Sequence, residues 1–409
     1  PLKMKNYIIM FLLIGFPLIA LTQLGTIKGS ILPTYSNSAL NEVGWVNPAI
    51  DDNGTIYFSD AGGTVYAVQD NKAGTNHLSV LWQKNTNVDY LNSSEVNSIL
   101  KPFASGLTQI CSLSESAPTL GSDQSRLYLA SHTSPAWVFC VNASDGNLIW
   151  KMKIPDNPMS GVTPGWREDF HDPASPVYPA RPWGSGGGIV SSPAVVTTGS
   201  TTTLYVGTGD WSEGNYEPNP LNGNLIEYHD IEDNRFFAIE DLGSSARIKW
   251  TFQPGGITNS MGDTIYSSST ARRSFFASPI VGPDGTIYAT CFDGYFYALT
   301  DTTIAGNDTV SVKWSWLSTN ICNDGILEQE WWGSPTMTDD GTKVLAGSND
   351  GFLHCFSTSA SGNNPPLWSF EAWGEVYVTP VITNTGKVII TGVTYTSPQA
   401  SNDHKGGLF

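Results

Sequence analysis

The residues best equipped for chemistry gather in a few stretches. Asp210 to Asn234 reads DWSEGNYEPNPLNGNLIEYHDIEDN and holds Asp210, Glu213, Glu217, Glu227, Asp230, Glu232 and Asp233. Carboxylates this closely spaced, interleaved with asparagines and backbone carbonyls, are the donor set that a hard cation such as Ca2+ prefers. Asp210 and Glu213 head the candidate ligands; EF-hand spacing is absent, so a plain acidic surface loop competes with a metal site. A second stretch, Ile154 to Gly188, is rich in Pro and Gly and carries Trp166, Arg167, Asp169, His171, Arg181 and Trp183. Those side chains could cap the mouth of a channel, or simply cover an edge of the fold. The tandem Trp331-Trp332 offers a surface on which a planar ligand could stack, with core packing as the alternative.

Other chemistries find little support. There is no G-x-S-x-G elbow and no HExxH pair, and the six histidines are scattered, which removes the usual signatures of hydrolases and metalloproteases. Five cysteines (Cys111, Cys140, Cys291, Cys322 and Cys355) show no CxxC spacing, arguing against a zinc ribbon or a thioredoxin-like site. Asp263 and Asp293 could be offered as bases, but Asp293-Gly294 reads better as a strand-joining turn, because Asp350-Gly351 recurs at the same place one unit later. With 37 acidic against 20 basic side chains the net charge is -17, which would repel a polyphosphate, so nucleic acid is set aside.

Positioning any of these residues falls to a repeat. A proline after a small residue opens each unit: Asn47-Pro48, Ala117-Pro118, Ser192-Pro193, Ser278-Pro279, Ser334-Pro335 and Thr379-Pro380. Lacking a donor, proline belongs at the first residue of a strand or on an edge. Behind each opening come an apolar pair, usually an Asp/Asn-Gly turn, then a strand (TIYFSD, RLYLAS, TLYVGT, TIYATC, KVLAGS, KVIITG). A further strand follows in five units (TVYAVQ, WVFCVN, RFFAIE, YFYALT, FLHCFS), which close on Trp82, Trp150, Trp250, Trp314 and Trp368. Pro48 to Trp82, Pro118 to Trp150, Pro279 to Trp314 and Pro335 to Trp368 are nearly equal spans. Pro193 to Trp250 is longer by an insertion. Ser334 to Phe370 serves as the uninserted reference copy. Four short strands per unit, only 14% charged residues and 41 glycines imply an all-β propeller of four-stranded blades, with at least six visible. The recurring Trp is read as architecture, packing over the neighbouring blade and donating its indole N–H.

The N-terminal MKNYIIMFLLIGFPLIALTQLG has a lysine, a short apolar run broken by Pro17, then small polar residues, which fits a secretory signal peptide better than a membrane anchor. The expected layout is a signal peptide over 1–25, with three stray residues before Met4, a lead-in over 26–46 and the propeller over 47–409. Asn53, Asn92, Asn142 and Asn307 head glycosylation sequons, meaningful in a eukaryotic host.

The pattern SP, [TK]-[IVL]-[YL], a DG turn, [YF]-[YFH]-[AC]-[LFV] and a closing W resembles the repeat of pyrroloquinoline-quinone-type propellers, over about Asn47 to Phe409. That family includes quinoprotein alcohol dehydrogenases and a bacterial outer-membrane assembly lipoprotein that uses the same blades without cofactor. Both are eight-bladed, so the resemblance implies a chain truncated from seven or eight blades. It also implies a site: Trp183-Gly-Ser-Gly-Gly-Gly leading to Tyr205-Val-Gly-Thr-Gly-Asp210-Trp211 is similar to the dehydrogenase segment whose Asn holds calcium beside the quinone, with Asp210 in its place. On this basis Trp183, Asp210, Trp211, Trp331 and Trp332 are the cofactor candidates, with pyrroloquinoline quinone and Ca2+ as the group they would hold. The family's calcium-binding Glu is replaced by Ala130-Ser131-His132, its H-D-x-W-D base motif is missing from Gln253 to Asp263, and so is its vicinal disulfide. A quinone oxidation needs both the base and the cation. The expectation is therefore a secreted or periplasmic monomer that binds a protein or small molecule through its loops as a binding or scaffold propeller. A quinone- and Ca2+-dependent alcohol dehydrogenase is the runner-up, and a carbohydrate or adhesion protein is a third reading.

Overall fold

In the computed structural model the described residues are 47–70, 78–98, 111, 113, 116–133, 135–155, 166–167, 181–182, 188–209, 215–218, 225–228, 234–254, 274–304, 306–318, 331–372, 374–395 and 404–408. The signal peptide and lead-in expected over 1–46 fall outside them.

Each repeat folds into an antiparallel sheet whose strands lie in chain order. Blade 1 comprises Ala49–Ile50, Thr55–Ser59, Thr64–Asp70 and Leu78–Asn85. Blade 2 comprises Thr119–Leu120, Arg126–Ala130, Trp137–Asn142 and Leu148–Lys153. Blade 3 uses Ala194–Thr198, Thr201–Gly207, Phe236–Asp241 and Ala246–Phe252. Blade 4 uses Ile280–Val281, Thr286–Thr290, Tyr295–Ile304 and Asn307–Leu317, and blade 5 uses Thr336–Met337, Lys343–Gly347, Phe352–Ser357 and Trp368–Glu371. A sixth unit pairs Val381–Ile382 with Val388–Ile389 and Thr391–Tyr395 with His404–Leu408. Its last segment thus starts a strand where the repeat calls for one.

Side chains on the middle strands alternate between two neighbours, and both sides are buried. In Trp137–Asn142, Trp137, Phe139 and Val141 join Tyr57, Val65 and Ala67 of blade 1, whereas Val138 and Cys140 join Leu204, Val206 and Ile239 of blade 3. The same sharing links blades 3 and 4, 4 and 5, and 5 and 6. Sheets covered on both faces by their sequence neighbours are the radial packing of a propeller. The first strands are tied to one another as well: the backbone N–H of Ala117 donates to Ser192 Oγ at 2.9 Å, that of Ser192 to Ser278 Oγ at 2.8 Å, and that of Ser278 to Ser334 Oγ at 2.9 Å. Ser192, Ser278 and Ser334, each just before its proline, are thus clasps between consecutive blades. Where sheets converge there is no room for a side chain: a Cβ on Gly207, which ends the second strand of blade 3, would lie 2.1 Å from Phe275 Cβ.

The closing Trp stands in a three-strand ladder. A small residue on the third strand separates an aromatic on the second from the Trp on the fourth: Tyr57, Ala67, Trp82; Tyr128, Cys140, Trp150; Tyr205, Ala238, Trp250; Tyr288, Ala298, Trp314. The Tyr and Trp rings meet over it at 5.8–6.1 Å, and a bulge follows the small residue each time. Blade 5, the apparent reference copy, departs most: Leu345 replaces the Tyr, Trp368 is 41% exposed, and an extra strand, Gly362–Asn363, runs parallel to blade 4 at Trp314–Ser315. Cys111, Cys140, Cys291 and Cys355 are buried free thiols; burial pushes those of Cys111 and Cys140 up to about 12.

Candidate functional site

Strand direction alone divides the propeller into two unlike faces. Each first strand starts on one face, so the turns between strands 2 and 3 and the connections from strand 4 to the next blade all lie there. The turns between strands 1 and 2 and between strands 3 and 4 lie opposite. The longest connections lie on the first face: Thr86 to Ser116, Ile154 to Gly188, Thr208 to Asn234, Gln253 to Ser274 and Ser318 to Trp331 all depart and return there. Loops of this kind on a rigid frame are where function concentrates.

The short turns on that face are built around buried aspartates. Asp60 Oδ1 accepts the Thr64 N–H and Oδ2 accepts the Tyr66 hydroxyl, at 2.8 and 2.9 Å. Asp293 repeats this with the Tyr295 N–H and the Tyr297 hydroxyl, and Asp350 with the Phe352 N–H and His354 Nε2. Ser318 Oγ donates to Asp350 as well. Burial raises the Asp60 carboxyl above its ordinary value against those hydrogen bonds, and drives the Tyr297 hydroxyl far above its own. These carboxylates close turns and tie the third strand to the rim, so Asp293 serves as the turn residue the sequence suggests.

Around the rim, backbone bonds join the loops of successive blades. Ile189 N–H donates to Ser131 O, Gly209 N–H to Gly188 O, Phe275 N–H to Thr208 O and Phe292 N–H to Ser274 O, at 2.8–3.0 Å. Gly188 and Gly209 form an isolated antiparallel bridge, bringing the ends of the two glycine-rich motifs together. Farther round, Phe276 stacks on Trp332 with ring centroids 5.3 Å apart and planes 9° apart, Phe292 meets Trp332 at 4.6 Å, and Tyr377 meets it edge-on at 5.8 Å. Phe276 and Phe292 are buried, while Trp332 and Tyr377 remain half-buried. This aromatic corner, assembled from blades 4, 5 and 6, is the most ligand-like described surface on the face. It can bury apolar area and stack on a flat group.

The two adjacent tryptophans therefore separate in role. Trp331 is wholly buried, donates its indole N–H to Gly294 O at 2.9 Å and packs on Phe296 and His354, which is core packing. Trp332 alone reaches the rim surface. Trp183, Asp210, Trp211 and Glu213 lie outside the described residues, as do Asp263 and Cys322. Short hairpins are described within both insertions: Trp166–Arg167 pairs with Arg181–Pro182, and Asn215–Pro218 with Leu225–Tyr228.

The blade-2 corner does not fit a quinone-associated calcium. Ala130 is buried, Ser131 Oγ is taken up by the Trp137 N–H and by Thr133 Oγ1, and His132 is packed so tightly that a Cβ on Gly188 would lie 2.6 Å from its ring. Hydroxyls already engaged and a buried imidazole are a poor set for a hard cation.

Sequence reading missed two features here. Phe276, Phe292 and Tyr377 lack a motif of their own, and their convergence on Trp332 depends on three blades meeting. Asp241 and Asp301 did leave a signal: each ends the apolar run of a third strand, at the same position in successive units. Asp241 accepts Arg126 Nη1 at 2.7 Å, the Tyr128 hydroxyl at 2.7 Å, Trp150 Nε1 at 3.0 Å and the Gly243 N–H at 2.8 Å, all with its side chain 4% exposed. Asp301 accepts the Tyr205 hydroxyl and Lys249 Nζ, each at 2.8 Å.

No protein-family model and no curated protein matches the chain. Among solved structures it is similar to BamB from Moraxella catarrhalis, with 12% identity over 85% of this chain and 81% of that one and a TM-score of 0.38. It is also similar to a quinohemoprotein alcohol dehydrogenase from Pseudomonas putida HK5 (13% identity, 87% of this chain, 63% of that one, TM-score 0.37). A europium-containing methanol dehydrogenase matches at 11% identity, over 87% of this chain and 74% of that one, with a TM-score of 0.38. Likenesses this distant assign no activity.

Proposed function

We propose that the protein is a binding or scaffold propeller whose working surface is the face carrying the long connections. The observation that carries this reading is the asymmetry of the two faces: the longest connections leave from one, and the aromatic corner of Phe276, Trp332 and Tyr377 opens there. The aspartates on that face hold turns together rather than standing ready as bases, and the blade-2 corner is a poor calcium site. A protein or flat small-molecule ligand gripped by loops and aromatic rings fits this chemistry better than redox turnover. The N-terminal Met4 to Gly25 segment supports work outside the cytoplasm, and no described helix is long and apolar enough to cross a membrane.

Paired surface variants test the reading. Trp332→Ala with Tyr377→Ala should abolish capture of whatever partner copurifies with the wild type, whereas Leu242→Ser with Ile304→Ser, exposed on the opposite face, should leave capture unchanged. Loss through the second pair and survival of the first would reverse the assignment of faces.

A further inference from the structure

The four sequons are not scattered evenly over the two faces. Asn53 sits in the turn between strands 1 and 2 of blade 1, Asn142 at the end of strand 3 of blade 2, and Asn307 at the start of strand 4 of blade 4, all on the face opposite the long connections. Asn92 alone lies on the working face. Two of these asparagines already have committed side chains. Asn92 caps a short helix, its Oδ1 accepting the Ser94 and Glu95 N–H groups. Asn142 Oδ1 accepts both the N–H and the hydroxyl of Ser144, the very hydroxyl its sequon supplies. Behind Asn53, Thr55 is buried and its hydroxyl donates to Gln69, which also holds the Asn53 carbonyl.

Asn307 combines an uncommitted side chain with a projecting hairpin, which none of the other three does. The third and fourth strands of blade 4 run on to Ile304 and Asn307, giving strands of 10 and 11 residues where the same strands of the other blades have 4 to 8. Asn307 thus stands at the tip of the longest hairpin described, paired with Ile304 beyond a turn with Gly306 at φ 81. It is exposed, and its side chain enters no hydrogen bond among the described residues. Asp308, the middle sequon residue, is turned away and anchored by Arg247 and the Thr303 hydroxyl. The amide therefore projects into solvent while the rest of the sequon is held.

We propose that Asn307 is an N-glycan acceptor, and that its glycan marks and shields the face opposite the binding surface. In the transfer, Asn307 Nδ2 bonds to the anomeric carbon of an oligosaccharide carried on a polyprenyl diphosphate. The anomeric carbon–oxygen bond breaks, the polyprenyl diphosphate leaves with the electron pair, and one amide proton passes to solvent. The consequence for the two faces rests on the binding-face reading above; the modification itself does not.

The test is expression of the full chain, fitted with a secretion leader, in a eukaryotic secretory host, with glycopeptides read by mass spectrometry in the secreted and cell-retained fractions alike. The expected result is a glycan on Asn307, seen as one mobility step removed by peptide N-glycosidase. That step should vanish in Asn307→Gln and in Thr309→Val, which keeps the side-chain shape, and persist in Asn92→Gln. An unmodified Asn307 peptide in either fraction, or a step that survives both variants, overturns the proposal. Because occupancy is read without any partner, this outcome and failure of the binding-face reading are separable.

Discussion

The seam between blades 2 and 3 and the seam between blades 4 and 5 use the same apolar ladder and differ in their polar chemistry. In the first, the Tyr128 hydroxyl and the Trp150 indole N–H both end on Asp241, with Arg126 alongside. In the second, the equivalent Tyr288 hydroxyl and Trp314 indole N–H are buried without a partner among the described residues, and Thr358 occupies the acceptor position. Thr358 spends its hydroxyl on Gly341 O. The intermediate case is the seam between blades 3 and 4, where Asp301 takes Tyr205 and Lys249 while the Trp250 indole is unpartnered among the described residues. Ring packing is thus the constant of the repeat, and the carboxylate is an addition that only some copies carry. A buried donor left unmade is costly, so the seams should differ in strength.

Several variants would break or sharpen that contrast. The largest effect is expected from Asp241→Ala, which strands a partly buried Arg and a buried Tyr and Trp together; it should lower stability by about 3–5 kcal/mol, read as a drop in the urea midpoint. Asp301→Ala, with fewer donors to strand, should cost about 2 kcal/mol in the same measurement. If both cost the same, the number of donors is not what ranks the seams. Removing one hydroxyl refines the point: Tyr128→Phe should lose about 1 kcal/mol, whereas Tyr288→Phe should be close to neutral, because its hydroxyl contributes no hydrogen bond to lose. Supplying the missing acceptor should work in reverse. Lys313 precedes Trp314 as Lys249 precedes Trp250, so Thr358→Asp places a carboxylate near two waiting donors and a cation, and the midpoint should rise; a fall would mean the seam cannot accommodate the charge.

The smallest effect concerns pH. Burial raises the Asp60 carboxyl above 3.8, so the native state holds that proton more tightly than the unfolded chain does. Its contribution favours folding below 3.8 and is lost as pH rises through the raised native value. Asp60→Asn should flatten the stability profile across that window, and an unchanged profile would show that Tyr66 and Thr64 fully offset the desolvation.

Much of the fold could be read from the chain because the repeat writes its constraints locally. Pro at strand starts, Asp-Gly turns and a Trp at a steady distance each act within one unit, and each blade appears where they place it. The site was less legible. The aromatic corner needs Phe276, Trp332 and Tyr377 from three blades, and sequence spacing says nothing about how blades abut. Trp331 and Trp332 look interchangeable as letters, yet one residue of register puts the first in the core and the second on the rim. The choice of reference copy misled for a related reason: blade 5 has a regular length, but its Trp368 and Leu345 depart from the ladder seen in the other four. The serine clasps went unread because a serine before proline already has a local explanation in strand initiation.

Binding through one face without quinone chemistry is tested most directly by titrating the purified protein with pyrroloquinoline quinone and Ca2+ while following the ultraviolet-visible spectrum and dye-linked alcohol oxidation. The prediction is no saturable quinone spectrum and no turnover. Stoichiometric quinone binding with turnover that disappears in Asp210→Ala would contradict it.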